Sequence, residues 1–322
     1  MKTRIVAALL LVSALLPGIA SGKERKPAGP AAPIGWLYLD RGSRRLSVPE
    51  PDLQKATRTV PRGALLPVFK TKEKHGATFG QVAALNLKTG ILELGWVDMT
   101  SSDLKPRESY PLDGELKESL GGAYLEDFAS EHTDIARFLV RQSTGPPVLL
   151  CYVVTMPRSV AKLVIFTQSQ GKYSPTVASS IPLTEMQAGI TSFEVRDLVG
   201  DGSDCVITNE PFREQADTYG TNLRIRKVVN GQLQVVWQAP IEFRNLSQYS
   251  PKLQILQPPE LNIGTTGSIT TAEVTFRPKG RGQVVLWTGK VDFFVFGRDR
   301  PVNSVNIEKT CPWDGKEFAP LR

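Results

Sequence analysis

Two stretches of this chain repeat each other, and the period limits what it can fold into. Phe138-Leu139-Val140-Arg141, with Gly145 and Cys151-Tyr152-Val153 after it, is matched by Phe193-Glu194-Val195-Arg196, Gly200 and Cys205-Val206-Ile207. The offset is 55 residues, closing to 54 at the cysteine. A second pattern follows, an apolar residue with a glycine eight positions on: Leu163 to Gly171, Leu223 to Gly231, Val274 to Gly282 and Ile307 to Gly315. After the middle two glycines come QLQVVW at 232–237 and QVVLW at 283–287. A period of this size marks a repeated supersecondary unit. Alternating apolar strands bounded by turn residues, with Asn230-Gly231 as a hairpin signal, predict antiparallel β structure throughout. The fold class expected is all-β.

Two hairpins per repeat make four strands, the unit of a propeller blade. The unit at 191–243 carries FEVRDLVGDGSDCVIT, and in this it resembles an FG-GAP or VCBS-type propeller repeat. The resemblance implies propeller-like blades, yet the glycine spacings of 60, 51 and 33 make the units unequal. A ring of about four blades, an open stack of β units and a sandwich therefore all stay open.

In that family the turn offers oxygens at its first, third, fifth and ninth positions to Ca²⁺. Here the third is Val199 and the ninth is Cys205, leaving Asp197, Asp201 and Asp204 as candidate ligands. Hard cations need six or more oxygens, so each missing carboxylate lowers affinity. The preferred reading is a turn whose carboxylates accept bonds from its own backbone N–H groups; a weak Ca²⁺ site is the alternative, and no other cofactor is expected. The partner hairpin from Arg141 to Pro147 has no acids at all.

Residues 35–105 form a different region. GWLYLD, VPRGALLPVF and FGQVAALNLKTGILELGWVDMTSSDL read as short strands separated by glycine-containing turns, with Thr89-Gly90 turning between two of them. Gly95-Trp96-Val97, the later Leu104, and Arg62-Gly63-Ala64-Leu65-Leu66-Pro67-Val68 resemble a bacterial Src-homology-3-like domain. The tryptophan that such domains carry on the preceding strand is missing. The resemblance implies a small N-terminal β barrel at 35–105, able to bind cell-wall material or peptides. Residues 106–134 read as a connector with room for one short helix, and 135–322 as the repeated β domain.

The N-terminus points to export. Lys2 and Arg4 precede an apolar run from Ile5 to Leu16, and Pro17, Gly18 and Ala20 follow. This is the layout of a cleaved signal peptide over residues 1–20, too short to span a bilayer. Residues 21–34, with KERKPAGPAAP inside them, read as a linker. No later run approaches the roughly 20 apolar residues of a membrane helix, so no transmembrane segment is expected after signal removal. The predicted location is periplasmic or extracellular.

Composition agrees with a folded chain: 322 residues, 41% hydrophobic and 22% charged. The net charge of +7 and the clusters Lys23, Arg25, Lys26 and Arg41, Arg44, Arg45 lack interleaved aromatics for stacking bases, so nucleic acid is not expected. Acidic envelope polymers or a protein partner suit such charge better.

Three cysteines in an oxidising compartment allow one disulfide. Cys151 and Cys205 occupy equivalent repeat positions, and face-packed sheets lie about 10 Å apart, too far for a bond. The pairing predicted is Cys205–Cys311, with Cys151 a buried thiol. Trp237 and Trp287 are expected to fill the core, whereas Trp313, in a Pro-Trp-Asp-Gly turn, is the candidate for an exposed binding surface. With two histidines and no GxSxG or HExxH motif, no catalytic residue is assigned, and His132 beside Glu131 and Asp134 completes no triad. The function expected is a non-enzymatic binding or scaffold protein of the envelope. The alternative is a carbohydrate hydrolase whose carboxylate pair the sequence does not identify.

Overall fold

The apolar runs predicted as strands do become strands, but they assemble into two antiparallel sheets. The structure, a computed structural model, describes residues 32–39, 44–47, 58–86, 91–100, 102, 104–128, 132–156, 160–169, 172–182, 189–215, 218–245, 267–295 and 299–321. The expected signal peptide and linker core at 1–31, and the Thr89-Gly90 turn, lie outside them.

The first sheet is built from β1 (Gly35–Tyr38), β2 (Arg44–Ser47), β3 (Arg58–Val60), β4 (Ala64–Lys74), β5 (Ala77–Asn86), β6 (Ile91–Asp98), β7 (His132–Val140), β8 (Val148–Met156), β9 (Val160–Ser169) and β10 (Lys172–Pro182). Its order is β10-β9-β8-β7-β4-β5-β6-β2-β3, with β1 paired to β4. The barrel expected at 35–105 does not close. Strand β4 pairs with β7 through Ala64↔Phe138 and Leu65↔Arg137, so β1–β6 join the following strands in one open sheet.

The second sheet runs in simple chain order: β11 (Ser192–Arg196), β12 (Cys205–Gln215), β13 (Thr218–Val229), β14 (Gln232–Asn245), β15 (Gly267–Lys279), β16 (Gly282–Phe294) and β17 (Asn303–Cys311). The Asn230-Gly231 signal is met at the β13–β14 turn, where both residues have positive φ (53° and 74°), as a two-residue hairpin loop requires. The strands predicted after Gly231 and Gly282 are β14 and β16. Around Gly315 the described residues form no strand, but a bridge joins Trp313 to Phe318.

The internal repeat takes the form of two four-strand meanders, β7–β10 and β11–β14, one in each sheet. They face each other. Phe138 and Phe193, equivalent in sequence, stack with ring centroids 3.8 Å apart and planes 18° apart. Leu150, Tyr152, Leu163 and Ile165 from the first sheet share one core with Val195, Val206 and Val228 from the second.

Each sheet also buries part of its outer face. Over the first lies α1 (Asp113–Phe128), the helix the connector had room for. Glu115 reaches back to accept the Leu112 N–H at 2.7 Å, a capping-box contact, and Asp113 and Glu115 place negative charge at the helix start. Leu116 and Leu120, one turn apart, pack on Leu149, Cys151, Val153 and Phe166. Strands β8 and β9 are thus buried on both faces, which explains why VLLCYVV and LVIF read as continuous apolar runs.

The second sheet covers itself. It coils until the Gln283 N–H donates to Leu198 O at 2.7 Å, beside β11. There Gly200 has φ +82°, and a Cβ on it would stand 2.2 Å from Arg281 O. Only glycine permits that approach. Trp237 and Trp287 fill this outer core, as expected, with Trp287 Nε1 donating to Pro240 O at 2.8 Å.

Candidate functional site

The three aspartates of the sequence motif do not converge on a common point. Asp197 accepts three backbone N–H groups of its own turn, from Val199 (3.0 Å), Gly200 (2.6 Å) and Gly202 (2.9 Å). Asp201 accepts from the Ser203 N–H and hydroxyl and pairs with Lys227. Its pKa is pushed up by burial, but the Lys227 ammonium and Ser203 outweigh that and hold it below the ordinary aspartate range. Asp204 grips Arg141 with both oxygens, at 2.7 and 3.0 Å, and also accepts the Arg141 N–H at 2.9 Å. Each carboxylate is engaged by protein donors. Among the described residues no group of three His, Cys, Asp or Glu side chains is placed to hold a metal ion.

The other sequence candidates also lie within the packing. Trp313 is half-buried, edge-on to Phe318 at 5.0 Å, with the Lys227 ammonium 5.2 Å from its ring centroid. Cys205 and Cys311 share the outer core of the second sheet as free thiols, while Cys151 lies in the helix-covered core of the first. Burial pushes the thiols of Cys151 and Cys205 up to about 12, which leaves them protonated and inert. Asp134 accepts the Leu92 N–H at 3.1 Å; Glu131 and the His132 side chain lie outside the described parts.

What sequence reading missed is a groove at the start of α1. It opens between the segment Arg107–Ser119 and the β9–β10 hairpin, with a volume of about 760 Å³. Two tyrosines set its apolar surface. Tyr110 packs edge-on against Trp36 with centroids 6.0 Å apart, and Trp36 Nε1 donates to Arg107 O at 2.8 Å, tying the groove wall to β1. Tyr173, on β10, stands opposite Gln168 of β9.

The floor is stiff. Buried Arg137 on β7 bonds Asp113 at the start of α1 and the Ile135 carbonyl at 3.2 Å, and its guanidinium lies 5.1 Å from the Trp36 ring centroid. Burial raises the pKa of Tyr110; burial, then the neighbouring Tyr110 and Glu115, raise that of Tyr173. Both phenols therefore stay neutral and keep their O–H donors at physiological pH.

Pro111 and Leu112 add to the apolar surface, and the charged lining is of mixed sign: Arg107 and Lys172 with Glu108, Glu115 and Glu118. These residues come from segments some sixty positions apart, so no local motif could have revealed them. Each has an ordinary reading where it stands, in a connector or a hairpin.

Neither family models, nor curated proteins, nor solved structures give a match to this chain. Among the described residues, no helix is long and apolar enough to cross a membrane.

Proposed function

We propose that this is an exported, non-catalytic binding protein of the cell envelope that recognises a wall component or a protein partner through the groove at the start of α1. One observation carries the reading: a concave surface of about 760 Å³, within the size of small-ligand sites, is lined by two neutral phenols together with charged and amide side chains. Export is supported by the positive, apolar, small-residue order of the first twenty residues. Mass spectrometry of the native protein checks it, and an intact Met1 on the mature form overturns it.

The two facing meanders are read as degenerate relatives of FG-GAP-type propeller blades, supported by FEVRDLVGDGSDCVIT and by the face-to-face stacking of Phe138 on Phe193. Such a scaffold supplies rigid support for a site at its rim.

The mature protein should be retained by purified sacculi or capture a protein from periplasmic extract. Wild type that is held by neither overturns the reading. A hydrolase remains the second reading, because Glu108 and Glu118 line one groove. Glu115 is tied to the Leu112 N–H and is less free for chemistry. Release of reducing ends from sacculi, lost in Glu118→Gln, is the result that would favour the enzyme.

A further inference from the structure

Resting on the reading of this groove as a binding site, we infer that its ligand is a neutral or zwitterionic oligosaccharide, of the kind a wall glycan strand presents. The charges in the groove nearly cancel. Two cations, Arg107 and Lys172, share it with three carboxylates, Glu108, Glu115 and Glu118, one of which also caps α1. A strongly charged ligand of either sign meets like charges as well as opposite ones, which costs affinity.

A sugar hydroxyl both donates and accepts. Carboxylates, a guanidinium, an ammonium and the Gln168 amide can therefore all engage the same ligand. The half-buried rings of Tyr110 and Tyr173 supply apolar area for the C–H face of a pyranose ring, and their neutral phenols supply hydroxyl partners. An acyl chain suits the groove poorly, because the five charged side chains of the lining would be left unpaired.

The test is calorimetric titration of the mature protein with tetra-N-acetylchitotetraose as the probe. Saturable binding is expected. Tyr173→Ala should weaken it about tenfold or more through the lost ring surface. Tyr173 also packs on the core beneath α1, so Gln168→Ala, on an exposed side chain, is the second variant. It should weaken binding about three- to tenfold with an unchanged melting temperature. Because the ligand is neutral, raising salt from about 0.05 to 0.5 M should change the Kd less than about twofold.

Binding unaffected by both variants overturns the assignment to this groove, and a steep salt dependence overturns the neutral ligand class. Retention of wild type on sacculi without chitotetraose binding overturns the glycan inference and leaves the envelope-binding reading standing. Capture of an extract protein that is lost in Gln168→Ala overturns it in favour of a peptide ligand.

Discussion

Two arginine–carboxylate pairs of the same chemistry sit in very different surroundings. At the rim, Arg141 at the end of the β7 segment grips Asp204 ahead of β12, joining the two sequence-equivalent turns. Asp204 is buried, but the Arg141 side chain is 45% exposed. In the interior, Arg226 pairs with Glu210, and both side chains are 1% exposed. Thr208 bonds Glu210 and accepts from Arg226, and Arg224 adds a contact to Glu210 at 2.7 Å. These residues share the β12 and β13 faces whose Val206 and Val228 enter the core between the sheets.

The rim pair keeps access to water if one partner is lost; the interior pair does not. Breaking them should therefore have unequal consequences. Such a buried pair need not add stability over a well-packed apolar core.

The largest effect is expected from Glu210→Gln, which removes the carboxylate charge that Arg226 faces in the interior. Chemical denaturation should show a loss of about 3–5 kcal/mol. A loss under about 1 kcal/mol would mean that water reaches this cluster and that the contrast with the rim is false.

Acid titration sharpens the same point. Burial pushes the Glu210 pKa up, but hydrogen bonding and charge from Arg226, with Thr208 and Arg224, hold it below the ordinary value of 4.5. The folded state thus favours the carboxylate. Its contribution is complete above that ordinary value, which the unfolded chain keeps, and is lost as pH falls through the lower folded value. The stability gap between wild type and Glu210→Gln should accordingly narrow below that pH; a constant gap would assign the effect to packing.

Asp204→Asn comes next, at about 1–2 kcal/mol, because a charged hydrogen-bonding pair is lost but Arg141 can turn to solvent. An effect equal to that of Glu210→Gln would erase the distinction between the sites.

The smallest effect is that of calcium. With the oxygens of Asp197, Asp201 and Asp204 engaged by protein donors, millimolar Ca²⁺ should move the melting temperature by less than about 1 °C, since a millimolar site adds only about 0.4 kcal/mol. A rise of several degrees, abolished by Asp201→Ala, would show that the turn opens to admit the ion.

How much of this was legible follows from the range of each signal. Strand type was legible, because alternation in β14 and β16 and the Asn230-Gly231 turn are local properties. The preferred fate of the Asp197 carboxylate, closing its own turn, was legible for the same reason. The repeat was legible as two hairpins, but its facing arrangement depends on Phe138 meeting Phe193, and periodicity carries no information on that contact. The expected barrel failed on one pairing, β4 with β7, which joins residues more than seventy positions apart. The buried Glu210–Arg226 pair was hidden because charged residues on a strand ordinarily mark its solvent face. The groove left no trace, since Tyr110 and Tyr173 are ordinary until α1 folds over β9 and β10.

The chain order of the second sheet bears on how the molecule is made. Every pairing from β11 to β17 joins strands that are neighbours in sequence. No strand has to wait for a later one or be inserted between two already paired. Such short-range pairings carry low loop-closure entropy and form fast. A polypeptide that emerges from a narrow pore in one direction can lay down this sheet ribbon by ribbon, in order of arrival. The Gln283–Leu198 and Phe318–Val236 hydrogen bonds, which return across 85 and 82 residues to lock the coil, require the later strands to be present.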